Sequence, residues 1–335
     1  MHTGVSCDID FGREGKQFGT VALPYSIDRS PYFRVSLPIC QVRNGEGPAV
    51  LLMAGVHGDE YEGKIALSKL MRRVEPGSVR GRLTILPAAN GPAVYAGRRC
   101  SPFDRGNLNR AFPGDRSGGP TWRIAHFIES GLMPGHDVVF DLHSGGTSMD
   151  HLACGLAEVG RDAARDATAR ALLEAMGMPY ALLADNGPDS PTTMAAALRA
   201  GAVGISGEFG GGATVTPARM EATERAIDNV LQACGLTQAP LLRPGAAAPE
   251  GPTVFLRQGG EDHFVYGRRD GWFEPAVEVG DRVEAGEVVG FSHALDIPGV
   301  EPETYHARTE GVVMSRRLHS HFLRGDCLFT IGGLA

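Results

Sequence analysis

Residues 51–63, LLMAGVHGDEYEG, carry an apolar run straight into His57, Asp59, Glu60 and Glu62. An imidazole and a carboxylate at this spacing are donors for a divalent metal, which in a catalytic site takes three protein ligands and keeps a fourth position open. The spacing alone is weak, because among eleven histidines roughly one such pair with glutamate arises by chance. His126 and Glu129 have the same spacing inside an amphipathic helical pattern with no strand before them, and they read as a surface pair. His57 and Glu60 instead follow a strand-like run, with Gly58 allowing a tight turn and a helix beginning near Glu60. Both side chains then converge at the carboxyl edge of a sheet, where α/β proteins bind ligands.

The third ligand candidate is His143, at the end of the apolar run VVFDLH and followed by small residues. Asp141, two residues earlier, falls on the same strand face and suits a partner that holds a ligand imidazole in one tautomer. GISGEFGGG puts Glu208 at the end of another apolar strand among glycines, a position for a general base acting on water. RRCSPFDRGNLNRAFPG, residues 98–114, holds four arginines and two asparagines with little helix or strand signal. Within it Asn109 and Arg110 stand side by side, and a guanidinium binds a carboxylate bidentately.

The elements that must position these groups alternate from 49 to 235. Ala49 to Val56 reads as a buried strand ending at His57, and Leu67, Leu70, Met71 and Val74 form the stripe of a helix on a sheet. RLTILP and DVVFDLH are further strands, with a helix marked by Ile124, Phe127, Ile128 and Leu132 between them. Ser190 before Pro191, and Thr216 before Pro217, signal helix starts. The second helix shows Ile227, Val230, Leu231 and Cys234 on one face and stops at Gly235. This alternation predicts an α/β domain with helices covering a largely parallel sheet. Residues 1–48 form a β-rich segment packed on the catalytic domain, 49–238 the catalytic domain, 239–252 a Pro/Ala/Gly linker, and 253–335 a small all-β domain of short runs broken by glycine turns.

Bulk properties exclude several classes. The chain has 335 residues, 42% apolar and 21% charged, with a net charge of −7 that gives no footprint for nucleic acid or an anionic membrane. Six scattered cysteines form no C-x-x-C pair, so neither a disulfide framework nor a thiolate zinc site is suggested. No leader pattern and no run of about 18 apolar residues is present, so a cytoplasmic protein is expected.

Taken together and in order, HGDE, NLNR, DLHSGG and GEFGGG resemble the succinylglutamate desuccinylase/aspartoacylase family of the zinc carboxypeptidase superfamily. The resemblance implies a mixed rather than parallel sheet, and one zinc per chain held by His57, Glu60 and His143, with cobalt and manganese left as alternatives. It implies a substrate carboxylate on Asn109 and Arg110, Glu208 as general base and later acid, and an oxyanion-stabilising arginine, taken as Arg99 with Arg98 and Arg105 as rivals. Longer strings, among them AGRRCSPFDRGNLNRAFPG and DGWFEPAVEVGDRVEAGEVV, look closest to the N-alpha-acetyl-L-2,4-diaminobutyrate deacetylases of ectoine breakdown. That implies hydrolysis of a small N-acyl amino acid, with another acyl group or a non-catalytic zinc-stabilised binding protein as alternatives. GISGEFGGG departs from the expected pattern, in which threonine precedes the glutamate and leucine follows. EPAVEVGDRVEAGEVVG resembles the barrel-sandwich hybrid of biotinyl and lipoyl carriers, but no lysine occurs after position 69. The carrier role is thereby excluded, and the domain is expected to be a lid, a wall of the site or a contact in a homo-oligomer.

Overall fold

A computed structural model describes residues 4–160, 162–244 and 251–334. Of the expected linker 239–252, residues 245–250 lie outside the described residues. The strands of the first two thirds are β1 (Ser6–Cys7), β2 (Gly15–Pro24), β3 (Arg34–Asn44), β4 (Ala49–Ala54), β5 (Gly81–Leu86), β6 (Val138–His143), β7 (Met149–His151), β8 (Cys154–Glu158), β9 (Tyr180–Ala184) and β10 (Val203–Glu208). The helices are α1 (Glu62–Arg73), α2 (Gly91–Ala96), α3 (Pro120–Phe127), α4 (Ala163–Met176), α5 (Thr193–Arg199) and α6 (Pro217–Ala233).

The sheet is mixed. Strands β5, β4, β6 and β10 lie parallel to their neighbours, whereas β3 meets β5 and β8 meets β10 antiparallel. The expectation of a largely parallel sheet, drawn from strand–helix alternation, is corrected accordingly: β2–β3 is a hairpin pairing that adds antiparallel strands at one side, and β8 reverses at the other. Alternation along each central strand sorts side chains to two cores. Val50, Leu52, Val138, Phe140, Val203 and Ile205 join one cluster with α1, α4 and α6 residues. Leu51, Met53 and Val139 join the other, with Ile124 of α3 and Ala196 and Ala197 of α5. Asp141, His143, Ser206 and Glu208 continue the second face by the same period of two.

Two local expectations need correction. Strand β4 stops at Ala54, three residues before His57, because Gly55 takes φ 72° and turns the chain out of the ladder. Helix α5 does not start from Ser190; Thr192 caps it by accepting from Ala195 N at 3.2 Å. Thr216 does cap α6, with Pro217 at its first position.

The later strands are β11 (Val254–Gln258), β12 (Phe264–Tyr266), β13 (Gly271–Pro275), β14 (Arg282–Val283), β15 (Val288–His293), β16 (Glu303–His306), β17 (Gly311–Arg317), β18 (His321–Phe322) and β19 (Cys327–Leu334). Strands β16, β15, β13 and β18 make a small antiparallel sheet, and Phe273, Tyr305, Phe322 and Phe329 fill a core of their own. Strand β11 pairs parallel to β9, which carries hydrogen bonding from the large sheet through β19 into β17. Strand β17 in turn pairs with β7, so the later strands support the segment that follows His143.

Candidate metal and substrate site

The sharp turn after β4 and the end of β6 bring His57, Glu60 and His143 together: one ligand atom from each lies within 4.8 Å of the others, and all three residues are buried. Gly58 is required for this turn, since a Cβ there would overlap the Ala93 carbonyl and press on Arg98 O. His57 Nδ1 is 2.7 Å from Glu60 Oε1, and His143 Nδ1 is 2.9 Å from Glu60 Oε2.

Each imidazole is fixed from behind. His143 Nε2 donates to Asp141 Oδ2 at 2.6 Å, the same-face partner that the strand period indicates. His57 Nε2 is 3.1 Å from Asn107 Oδ1, and that oxygen also accepts from Asn109 N at 3.0 Å. A backbone N–H can only donate, so the Asn107 atom is the acceptor and His57 Nε2 carries the proton. Both rings therefore turn Nδ1 toward Glu60. Such backing of a ligand histidine by a carboxylate or amide fixes its tautomer.

The electrostatics agree with this arrangement. Burial would raise the Glu60 carboxyl, but the two facing imidazoles outweigh it and hold the group well below the usual carboxylate range. Burial would lower His143, yet Asp141 and Glu60 carry it well above an ordinary histidine. Two imidazole nitrogens and one carboxylate oxygen, converging in a buried pocket with their outer faces tied down, are the donor set of a borderline divalent cation. The residues present fit such an ion.

The remaining expected residues fall around this cluster. Glu208 stands in register beside His143 on the neighbouring strand and on the same face, and its Oε2 is buried without a hydrogen-bond partner among the described residues. Of the three arginines considered, Arg99 reaches the cluster, with Nη1 3.4 Å from Glu60 Oε1; Arg98 and Arg105 make no ion pair among the described residues. Arg110 Nη1 donates to Asn109 O at 2.7 Å. Burial, and then the neighbouring Arg99 guanidinium, lower Arg110, so the two cations feel each other and would both favour an anion nearby. His126 and Glu129 do not bond each other; Glu129 pairs with Arg199 at 2.8 Å.

Sequence reasoning passed over four residues here. Asn107 is one, although NLNR contains it. Asp59 Oδ2 accepts from both Thr147 N and Thr147 Oγ1 at 2.8 Å, clasping the loop after His143. Lys64 Nζ donates to Gly58 O at 2.6 Å; burial brings its ammonium down to about 8 despite Glu60, Asp59 and Glu62. Arg219 Nη1 holds Gly211 O at 2.8 Å and Nη2 holds Asp150 Oδ1 at 2.6 Å, bracing the loop after Glu208 against β7.

Known proteins share this architecture. Residues 46–234 match the succinylglutamate desuccinylase/aspartoacylase catalytic domain. The chain is 38% identical over 327 residues to the N-alpha-acetyl-L-2,4-diaminobutyric acid deacetylase of Halomonas elongata, covering 98% of this chain and 94% of that protein. Among solved structures it superposes on the product-bound ectoine utilization protein EutE (DoeB) of Ruegeria pomeroyi with a TM-score of 0.92 and 34% identity, covering 99% of each chain. It matches a succinylglutamate desuccinylase/aspartoacylase of Rhodobacter sphaeroides with a TM-score of 0.91 and 35% identity, again over 99% of each. With the motif residues gathered at one sheet edge and the match spanning the catalytic domain, the chain belongs to the succinylglutamate desuccinylase/aspartoacylase family.

Proposed function

We propose that this protein is a zinc-dependent amidohydrolase that removes the acetyl group from N-alpha-acetyl-L-2,4-diaminobutyrate in ectoine degradation. The observation that carries the reading is the convergence of His57, Glu60 and His143 within 4.8 Å, each imidazole tied from behind so that Nδ1 faces inward. The substrate follows from the likeness to the Halomonas elongata deacetylase and the EutE structure. Six free cysteines suit a reducing cytoplasm, and no helix among the described residues is long and apolar enough to cross a membrane.

In this reading His57, Glu60 and His143 hold the ion, which when bound supplies a Lewis acid for the acyl carbonyl and lowers the pKa of water. Asn109 and Arg110 bind the substrate carboxylate and fix the amide's place in the site. Glu208 takes a proton from the attacking water and returns it to the departing amine nitrogen. The Arg99 guanidinium donates to the oxygen that becomes negative as the carbonyl carbon turns tetrahedral. The products are acetate and the free amino acid.

The test is hydrolysis of N-alpha-acetyl-L-2,4-diaminobutyrate by metal-replete protein, before and after chelation, beside succinyl and aspartyl amides. Acetate release that stops with chelation and returns with zinc supports the reading. Faster cleavage of a succinyl or aspartyl amide would reassign the acyl group, and no cleavage of any amide would end the assignment.

A further inference from the structure

Resting on that reading, we propose that Thr193 is the positioning residue that makes Asn109 a hydrogen-bond donor toward the substrate carboxylate. A primary amide presents a carbonyl oxygen on one side and an NH2 on the other, and a half-turn exchanges them. A carboxylate only accepts, so the site works with one of the two orientations. Asn109 Oδ1 accepts from Thr193 N at 2.8 Å and from Thr193 Oγ1 at 2.8 Å. Turning the amide over would set its NH2 against the Thr193 N–H, donor against donor. The oxygen is thus committed to α5, and Nδ2, which makes no hydrogen bond among the described residues, is directed elsewhere. Arg110, with Nη1 on the Asn109 carbonyl at 2.7 Å, adds its guanidinium from the same turn.

The platform that performs this is itself clamped. Thr193 is 2% exposed. Thr192 Oγ1 donates to Glu158 Oε1 at 2.7 Å, joining the start of α5 to β8. At the other end Arg199 meets Glu129 through two bonds of 2.8 and 2.9 Å. Two successive threonines therefore serve different partners, one gripping the sheet and the other setting the recognition amide, which is how rigid elements hold a binding group within a fraction of an ångström.

The experiment compares Thr193→Val, which keeps the volume but removes the hydroxyl donor, with Thr193→Ser, which retains it. The substrates are N-alpha-acetyl-L-2,4-diaminobutyrate and its carboxylate-free counterpart, N-acetyl-1,3-diaminopropane. The expected result for Thr193→Val is a KM raised about three- to tenfold for the carboxylate substrate, the worth of one hydrogen bond, with a smaller fall in kcat. That pattern reports lost substrate binding. Thr193→Ser should restore KM, and kcat/KM for the carboxylate-free compound should move less than for its counterpart. A KM within twofold of wild type in Thr193→Val, or equal losses on both substrates, would overturn the inference. Wild-type protein that hydrolyses neither compound would instead sink the deacetylase reading on which it rests.

Discussion

Two buried histidines stand at opposite ends of the same region of sheet. His143 closes β6 at its carboxyl edge, and His136 lies just before its amino edge; they are 6% and 5% exposed. His143 faces two carboxylates, which carry it well above an ordinary histidine against the pull of burial. His136 meets the Thr84 hydroxyl at 2.9 Å, and burial together with the Arg82 charge lowers it to about 4. Similar burial thus favours the charged form of the imidazole at one edge and the neutral form at the other. Residue type and burial do not distinguish a candidate ligand from a core histidine; the neighbouring charges do.

The comparison breaks most visibly at the carboxyl edge. Glu208→Gln should lower kcat by about 10²- to 10⁴-fold, the usual worth of a general base, while metal content by elemental analysis stays unchanged. Arg99→Ala should lower turnover by roughly a hundredfold or more, as for one oxyanion donor, again with full metal. Near-normal turnover would move the role to Arg98 or Arg105. Asp141→Asn should weaken zinc affinity by about ten- to a hundredfold, read by competition with a chelator.

At the amino edge the expected effect is on folding. A histidine lowered from 6.5 to about 4 takes up its proton in the unfolded chain first, so the unfolded state binds more protons between those values. The associated stability is complete above about pH 6.5, declines as pH falls through that window, and is fully lost near pH 4. The total is about 3 kcal/mol. Denaturant melts from pH 7 to 4 should show this decline, and His136→Gln should flatten it without altering kcat at neutral pH. The smallest effect is expected from His126→Ala, within about 0.5 kcal/mol and with zinc content unchanged, since His126 is not part of the candidate ligand group among the described residues.

Much of this was legible because it is local. Apolar runs ending in His57, His143 and Glu208 announce strands with chemistry at their ends, and period-two alternation places Asp141 behind His143. What escaped is non-local. Asn109 and Thr193 are 84 residues apart, and nothing in the spacing of either says that α5 will hold the Asn109 side chain. The mixed sheet was legible through the family resemblance and not through strand–helix alternation: strand direction is settled by which neighbours pair, and the β8 reversal depends on contacts that period and propensity do not encode. Asn107 was hidden by its company, because Asn109 and Arg110 beside it offered a more familiar chemistry.

The ladder between β17 and β7 carries a consequence for anyone recombining relatives of this protein. Its backbone bonds tie Met149–His151 to Ser315–Arg317, and Leu318 N adds a bond to Ser148 O at 2.9 Å. Exchanging the last eighty residues between homologues would therefore replace the strand that pairs with the segment following His143 while leaving His57, Glu60, His143 and Glu208 in the host's own portion of the chain.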